Sequence, residues 1–135
     1  LAVVAAAAKR FPLSDVLRVI PLIKAPTGRM EVINMESVPG VVVDYAHTPD
    51  ALEKVLITLR AHSIGKLWVV FGCGGERDTG KRSKMGAIAE RYTDRVVLTS
   101  DNPRGEPEHQ IIAQIKRGIL LAAAATTANK LDRLN

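Results

Sequence analysis

Three short stretches of this chain carry residue types suited to binding small charged molecules. Asp101-Asn102-Pro103-Arg104 sets acceptors beside a cation. Asp101 and Asn102 can accept hydrogen bonds from an ammonium group, and Arg104 can hold a carboxylate through two parallel bonds. Pro103 stiffens the turn between them. A free amino acid, with an ammonium and a carboxylate together, requires this pairing. The competing reading is structural: Asp101 caps a following helix and Arg104 is solvated. The second stretch is Gly72-Cys73-Gly74-Gly75-Glu76-Arg77-Asp78. It opens like a dinucleotide fingerprint, but Arg77 stands where a third glycine should close helix on strand. Gly75 to Arg82, GERDTGKR, opens like a phosphate-binding P-loop, but Arg82 replaces the Ser or Thr whose hydroxyl would hold magnesium. Both matches fail at a residue with a physical job. The glycines are instead expected to make a sharp turn, with Arg77 either aimed into a binding crevice or solvated. In the third stretch, Asp44 to Asp50, His47 can contact a ligand or cap the turn before a helix.

Other reactive residue types form no pattern. His62 and His109 fall in helical segments and are expected at the surface. No His, Cys or carboxylate spacing suggests a metal site, and no Ser-His-Asp arrangement can be argued. Cys73 lies in the glycine turn and reads as an inert buried thiol.

Periodic elements flank these loops. Val41 to Val43, Leu67 to Phe71 and Val96 to Thr99 are nearly continuous apolar runs, ending before Asp44, Gly72 and Asp101. Such runs suit parallel strands covered on both faces. Between and after them apolar residues recur at helical spacing: Leu52, Val55, Leu56 and Leu59; Met85, Ile88, Ala89 and Tyr92; Ile111, Ile112, Ile115 and Ile119. Thr48 should cap the first of these helices, with Pro49 at its first position. Alternating strand and helix predicts an α/β fold with an open, mainly parallel, Rossmann-like sheet. The three polar stretches then follow the carboxyl ends of the strands, where ligands bind in open α/β sheets.

Upstream, residues 1–24 read as helical, with Ser14 as a cap and Pro21 ending or kinking the helix. Ala25-Pro26-Thr27-Gly28 is turn-like and marks an expected boundary between two units. The 135 residues suffice for about one domain, and 47% hydrophobic with 24% charged is a globular composition. With a single cysteine a disulfide scaffold is excluded, and a reducing cytosol is expected. No apolar run approaches the ~20 residues that span a bilayer. The opening LAVVAAAA is followed, not preceded, by Lys9-Arg10, the reverse of a secretory signal. Because the chain opens on Leu1, it is expected to begin within a longer gene. The net charge of +5 attracts phosphorylated or carboxylated metabolites. Without an aromatic-laced basic stripe, nucleic acid is not the expected partner.

Gly28-Arg29-Met30-Glu31, Asp44 to Asp50, the Gly72 to Arg82 loop and Asp101 to Arg104 occur in the order and spacing of the Mur ligases, and residues 1–118 resemble that family. The resemblance is to members that add meso-diaminopimelate to UDP-N-acetylmuramoyl-L-alanyl-D-glutamate in peptidoglycan synthesis. It implies that ATP, with magnesium, phosphorylates the D-glutamate side-chain carboxylate. The amine of the incoming amino acid then attacks the acyl phosphate, an amide forms and phosphate leaves. It implies that residues 1–27 end a central ATPase domain, that 28–118 are a C-terminal, Rossmann-like domain that closes over it, and that the Ala-rich tail 119–135 lies outside the match. By motif, Arg77, Asp101, Asn102, Pro103 and Arg104 would bind meso-diaminopimelate, with a buried Arg104 selecting its distal carboxylate against lysine. Arg29, Asp44 and His47 would lie on the ATP side. The catalytic P-loop and modified lysine are expected upstream of this chain, in a full-length monomer acting in the cytoplasm. Two alternatives remain, a non-catalytic amino-acid or nucleotide-binding module and a related amide ligase such as a folylpolyglutamate synthetase.

Overall fold

A computed structural model of the chain describes residues 9–23, 26–33 and 40–132. The chain divides into two compact units, Leu1–Tyr45 and Ala46–Asn135.

In the first unit, helix α1 spans Leu13–Val19 and passes into a 3-10 turn, Ile20–Leu22. The expected cap at Ser14 is not used. The helix starts two residues earlier, at Leu13, because the extended Pro12 offers its carbonyl to the amides of Asp15 at 3.0 Å and Val16 at 3.2 Å. Ser14 therefore lies inside the first turn. Pro21, which has no N–H to continue the α ladder, falls in the 3-10 turn where the helix tightens and ends. The rest of the helical reading, residues 1–8 and 24, lies outside the described residues, as does Ala25 of the turn-like boundary.

Strand β1, Glu31–Ile33, pairs antiparallel with β2, Val41–Val43, with Glu31 opposite Val43. The sequence had placed Val41 to Val43 in a parallel ladder. A three-residue β-branched run fits either direction, and the connection decides. Only residues 34–40 separate the two strands, and a parallel crossover needs a dozen or more.

The second unit holds α2 (Pro49–His62), β3 (Trp68–Phe71), α3 (Gly80–Tyr92), β4 (Arg95–Leu98) and α4 (Glu108–Asp132). β3 and β4 pair in parallel, Trp68 with Arg95 through Phe71 with Leu98. Thr48 caps α2 through its hydroxyl oxygen, which accepts from the Ala51 amide at 3.3 Å, and Pro49 takes the first turn as expected. The core follows the periodic stripes. Leu52 and Leu56 of α2, Met85 of α3, and Ile111 and Ile115 of α4 are buried together with Cys73, and Val69, Phe71 and Leu98 pack on them. The alternate strand positions differ from expectation. Trp68, Val70 and Val97 are 59%, 65% and 40% exposed, so the helices of this unit cover one face of the sheet. Among the described residues no helix is long and apolar enough to cross a membrane.

α3 and α4 approach at two glycines. A Cβ on Gly86 would lie 2.2 Å from the Ile115 carbonyl oxygen, and one on Gly118 would lie 1.8 Å from that of Ser83. Backbone oxygens cannot rotate aside. Overpacking costs about 1–3 kcal/mol and occasionally more, against ~1 kcal/mol gained when alanine replaces glycine inside a helix. We expect Gly118→Ala to lower unfolding stability by about 1–2 kcal/mol net, read as a fall in the urea midpoint with an unchanged slope. An unchanged or raised midpoint would show that the helices do not cross here.

At the amino ends of the strands, Asp94 Oδ2 accepts from the Leu67 amide and from Arg60 Nη1, both at 2.7 Å. The Leu67 amide, then Arg60, holds the Asp94 carboxyl below its ordinary range. This cluster ties α2 to β3 and β4, and it leaves the carboxyl ends of the strands to the loops described next.

Candidate functional site

Beyond the carboxyl ends of β3 and β4, two loops interlock. The amide of Thr99 donates to Phe71 O at 3.1 Å, extending the ladder past β4. Gly75 N donates to Asn102 O at 3.1 Å. A Cβ on Gly72 would lie 2.4 Å from Thr99 O, and one on Gly75 would lie 1.8 Å from Pro103 O. The glycines are thus needed for close approach. The chain bends at Gly75 to Arg77, as expected, although none of the three glycines in this loop has a left-handed φ. The left-handed residues are Glu76 at φ 52°, Asn102 at 46° and Arg104 at 52°. Asparagine tolerates this region, but for Glu and Arg it costs about 1–2 kcal/mol each. Such strain persists only where surroundings over-determine the backbone, and it gathers at ligand clamps.

The left-handed Arg104 turns its guanidinium back onto the neighbouring loop, where Nη1 donates to Gly75 O at 2.6 Å. Arg104 remains exposed overall. One carbonyl covers only part of a planar fork, which leaves most of the guanidinium uncovered. Its other donors stay open to a carboxylate. Arg77 is exposed and, among the described residues, makes no hydrogen bond or ion pair. Asp101 and Asn102 are exposed, and Pro103 is half-buried. α4 begins only at Glu108, so Asp101 does not cap it. The two loops bring cationic and acceptor side chains to one edge without spending them on each other.

Arg82, singled out above only as a failed motif residue, fastens the two loops. It is fully buried. Nη1 donates to Glu106 Oε2 and to Gln114 Oε1, both at 2.8 Å. Nη2 donates to Glu106 Oε1 at 2.9 Å and to Gly74 O at 3.1 Å. Glu106 Oε1 also accepts from the Glu76 amide at 2.5 Å. The sequence carried a signal for this residue. Arg82 lies three positions before Met85 and seven before Ala89, on the buried stripe of α3, where a charge requires a partner. Glu106 itself followed no period.

Arg82, then the Glu76 amide, pulls the Glu106 carboxyl down to about 2. Its ordinary value is 4.5. A depressed carboxyl stabilises the fold above the ordinary value, and this contribution is lost as pH falls through the folded one. We expect a carboxyl-carbon NMR titration of Glu106 to show its midpoint near 2. A midpoint near 4.5 would mean that the clasp is not formed in solution.

The remaining expected residues lie elsewhere. In the first unit Arg29 stacks its guanidinium 4.6 Å from the Tyr45 ring centroid. Asp44 Oδ2 accepts from the Met30 amide at 2.9 Å. In the second unit His47 is exposed, and its carbonyl accepts from Lys81 Nζ at 2.8 Å. Thr48, not His47, caps the helix. His62 and His109 lie at the surface. Cys73 is buried 3.8 Å from the Met85 sulfur, and burial pushes its thiol up, away from reactivity. Among the described residues no three His, Cys, Asp or Glu converge to hold a metal ion.

Comparison with known proteins places this geometry in context. The profile of the Mur ligase family, glutamate ligase domain, matches residues 28–134, continuing past Gly118 through the Ala-rich tail. The UDP-N-acetylmuramoyl-L-alanyl-D-glutamate–2,6-diaminopimelate ligase of Pseudomonas aeruginosa is 53% identical over 116 residues, 86% of this chain and 24% of the relative. The ligase of the same name from Haemophilus influenzae strain PittGG is 52% identical over 108 residues, 80% of this chain and 22% of the relative. A solved structure of a UDP-N-acetylmuramoyl-L-alanyl-D-glutamate–2,6-diaminopimelate ligase superposes with a TM-score of 0.63 at 48% identity, covering 87% of this chain and 24% of that one. The chain thus spans about a quarter of the length of the relatives it matches.

Proposed function

The chain belongs to the Mur ligase family, and from that membership we propose that it is the amino-acid-selecting part of an ATP-dependent ligase that adds meso-diaminopimelate to UDP-N-acetylmuramoyl-L-alanyl-D-glutamate. The observation that carries the choice of substrate is the interlocked pair of loops, with Arg104 turned onto the Gly75 carbonyl and Arg77 open at the same edge. The distal centre of diaminopimelate bears an ammonium and a carboxylate. Asp101 and Asn102 accept from the ammonium, and Arg77 and Arg104 hold the carboxylate. Lysine lacks that carboxylate and leaves a guanidinium without its partner. The names of the relatives, each a 2,6-diaminopimelate ligase, support the same reading.

Arg29, Asp44 and His47 serve ATP in this proposal. Asp44 has one carboxylate oxygen engaged by the Met30 amide and the other available to a ribose hydroxyl. Arg29, exposed and steadied by Tyr45, suits a phosphate oxygen. Arg29 and Asp44, both in the first unit, suit a nucleotide. They do not fit a metal site, and magnesium in this reading is held by parts of the enzyme outside the chain. Residues 1–27 end the preceding domain, and the selecting domain runs from residue 28 through the tail to 134 rather than stopping at Gly118. The whole enzyme acts as a cytoplasmic monomer on small molecules.

The test is to set this chain, in register, in place of the matching quarter of the Pseudomonas aeruginosa relative. The expected result is phosphate release that depends on ATP, the UDP-linked dipeptide and meso-diaminopimelate together, with ligated product by mass spectrometry. A folded fusion that releases phosphate only with another amino acid would contradict the substrate assignment.

A further inference from the structure

We infer that Arg82 and Glu106 are a positioning pair that fixes the spacing between Arg77 and the Asp101–Arg104 loop, and so sets the affinity for the amino-acid substrate. The inference rests on the function proposed above and adds to it two residues that touch no substrate. One buried guanidinium from α3 reaches the first loop at Gly74 O, the second at Glu106 and the helix α4 at Gln114. Glu106 passes the contact on to the amide of Glu76, the residue before Arg77. Glu76 returns it, its Oε1 accepting from the Gly105 amide at 3.3 Å, and Gly105 follows Arg104. Both substrate-facing arginines therefore sit one residue from an end of the same closed ring of hydrogen bonds. The ring also accounts for the left-handed backbone at Glu76 and Arg104, which needs an external constraint to persist.

Stability alone does not explain the pair. A buried ion pair is often no more stable than well-packed apolar residues of the same volume, and its attested use is to fix one arrangement among several. Here a bidentate fork between Arg82 and Glu106 fixes distance and orientation at once. The Nε of Arg82 is buried without a hydrogen-bond partner among the described residues.

The experiment compares Arg82→Lys, Glu106→Gln and Glu106→Ala in the full-length fusion described above. Steady-state KM is measured for meso-diaminopimelate and for ATP, with the melting temperature of each protein. Lysine keeps the charge and loses the fork; glutamine keeps one acceptor. A small misplacement of a binding group can cost about a hundredfold. We expect the KM for meso-diaminopimelate to rise at least about tenfold in Arg82→Lys and Glu106→Ala, and less in Glu106→Gln, with the KM for ATP within about twofold of the parent. KM values for both substrates rising together with a falling melting temperature would reduce the pair to scaffold and overturn the inference. So would an unchanged KM for meso-diaminopimelate in all three. Should Arg82→Lys not fold, Glu106→Gln and Glu106→Ala decide by the same criteria. An unsubstituted fusion that does not use meso-diaminopimelate overturns the proposed function and this inference together. A fusion that uses it, with variants unmoved, overturns this inference alone.

Discussion

Arg104→Ala in the joined enzyme is expected to cut kcat/KM for meso-diaminopimelate by about a hundredfold or more. One hydrogen bond to a charged group contributes about 1.5–3 kcal/mol, and 1.4 kcal/mol is about tenfold. The guanidinium has donors to spare beyond the one resting on Gly75 O, so two bonds to a carboxylate are within its geometry. The loss should be selective. ATP and the UDP-linked dipeptide do not meet this side chain in the proposed arrangement, and their KM values should hold within about twofold. Arg104 is exposed and contributes no core packing, so the melting temperature should stay within about 2 °C, as for surface substitutions generally. A variant that retains wild-type kcat/KM for meso-diaminopimelate would remove Arg104 from the substrate site.

Much of this arrangement was legible from residue order. The stripes Leu52/Leu56, Met85/Ala89 and Ile111/Ile115 announce helices whose buried faces are then found in one core. Thr48-Pro49 announces where one helix starts. The two loops could be named because ligands in open α/β sheets collect beyond the strands. What could not be read depends on partners distant in sequence. Val41 to Val43 has the same appearance in a parallel or an antiparallel ladder, and Glu31–Ile33 is too short to show a period. Gly72 and Gly75 look like turn glycines until the Thr99 and Pro103 carbonyls are seen against them. Ser14 has the chemistry of a cap, but the extended Pro12 carbonyl takes the role first. Arg104 gives no sign in sequence of its carbonyl contact at Gly75. Arg82 was noticed for the hydroxyl it lacks; its position on the buried stripe of α3 was the better clue.

Gly75→Ala is expected to abolish preference for diaminopimelate through shape alone. The new methyl would stand 1.8 Å from the Pro103 carbonyl oxygen, and backbone lies on both sides of the overlap. The loops must separate, and the Gly75 amide and carbonyl then lose Asn102 O and Arg104 Nη1 together. A displacement near 1 Å at a positioning group costs about a hundredfold. The substitution removes no charge and no side chain. A large loss of kcat/KM for meso-diaminopimelate, with ATP binding retained, would therefore trace to the loop spacing. Activity within about threefold of the parent, with the fold intact, would show that the loops have room the structure denies.

The central claim is that these two loops read the far end of the incoming amino acid. The direct measurement is the ratio of kcat/KM for meso-diaminopimelate to that for L-lysine, taken on the unsubstituted sequence set in place of the matching quarter of the Pseudomonas aeruginosa relative. The account predicts a ratio of at least about a hundred, as an unpaired guanidinium and an unshared charge-assisted bond require. A ratio near one, or one favouring lysine, would contradict it.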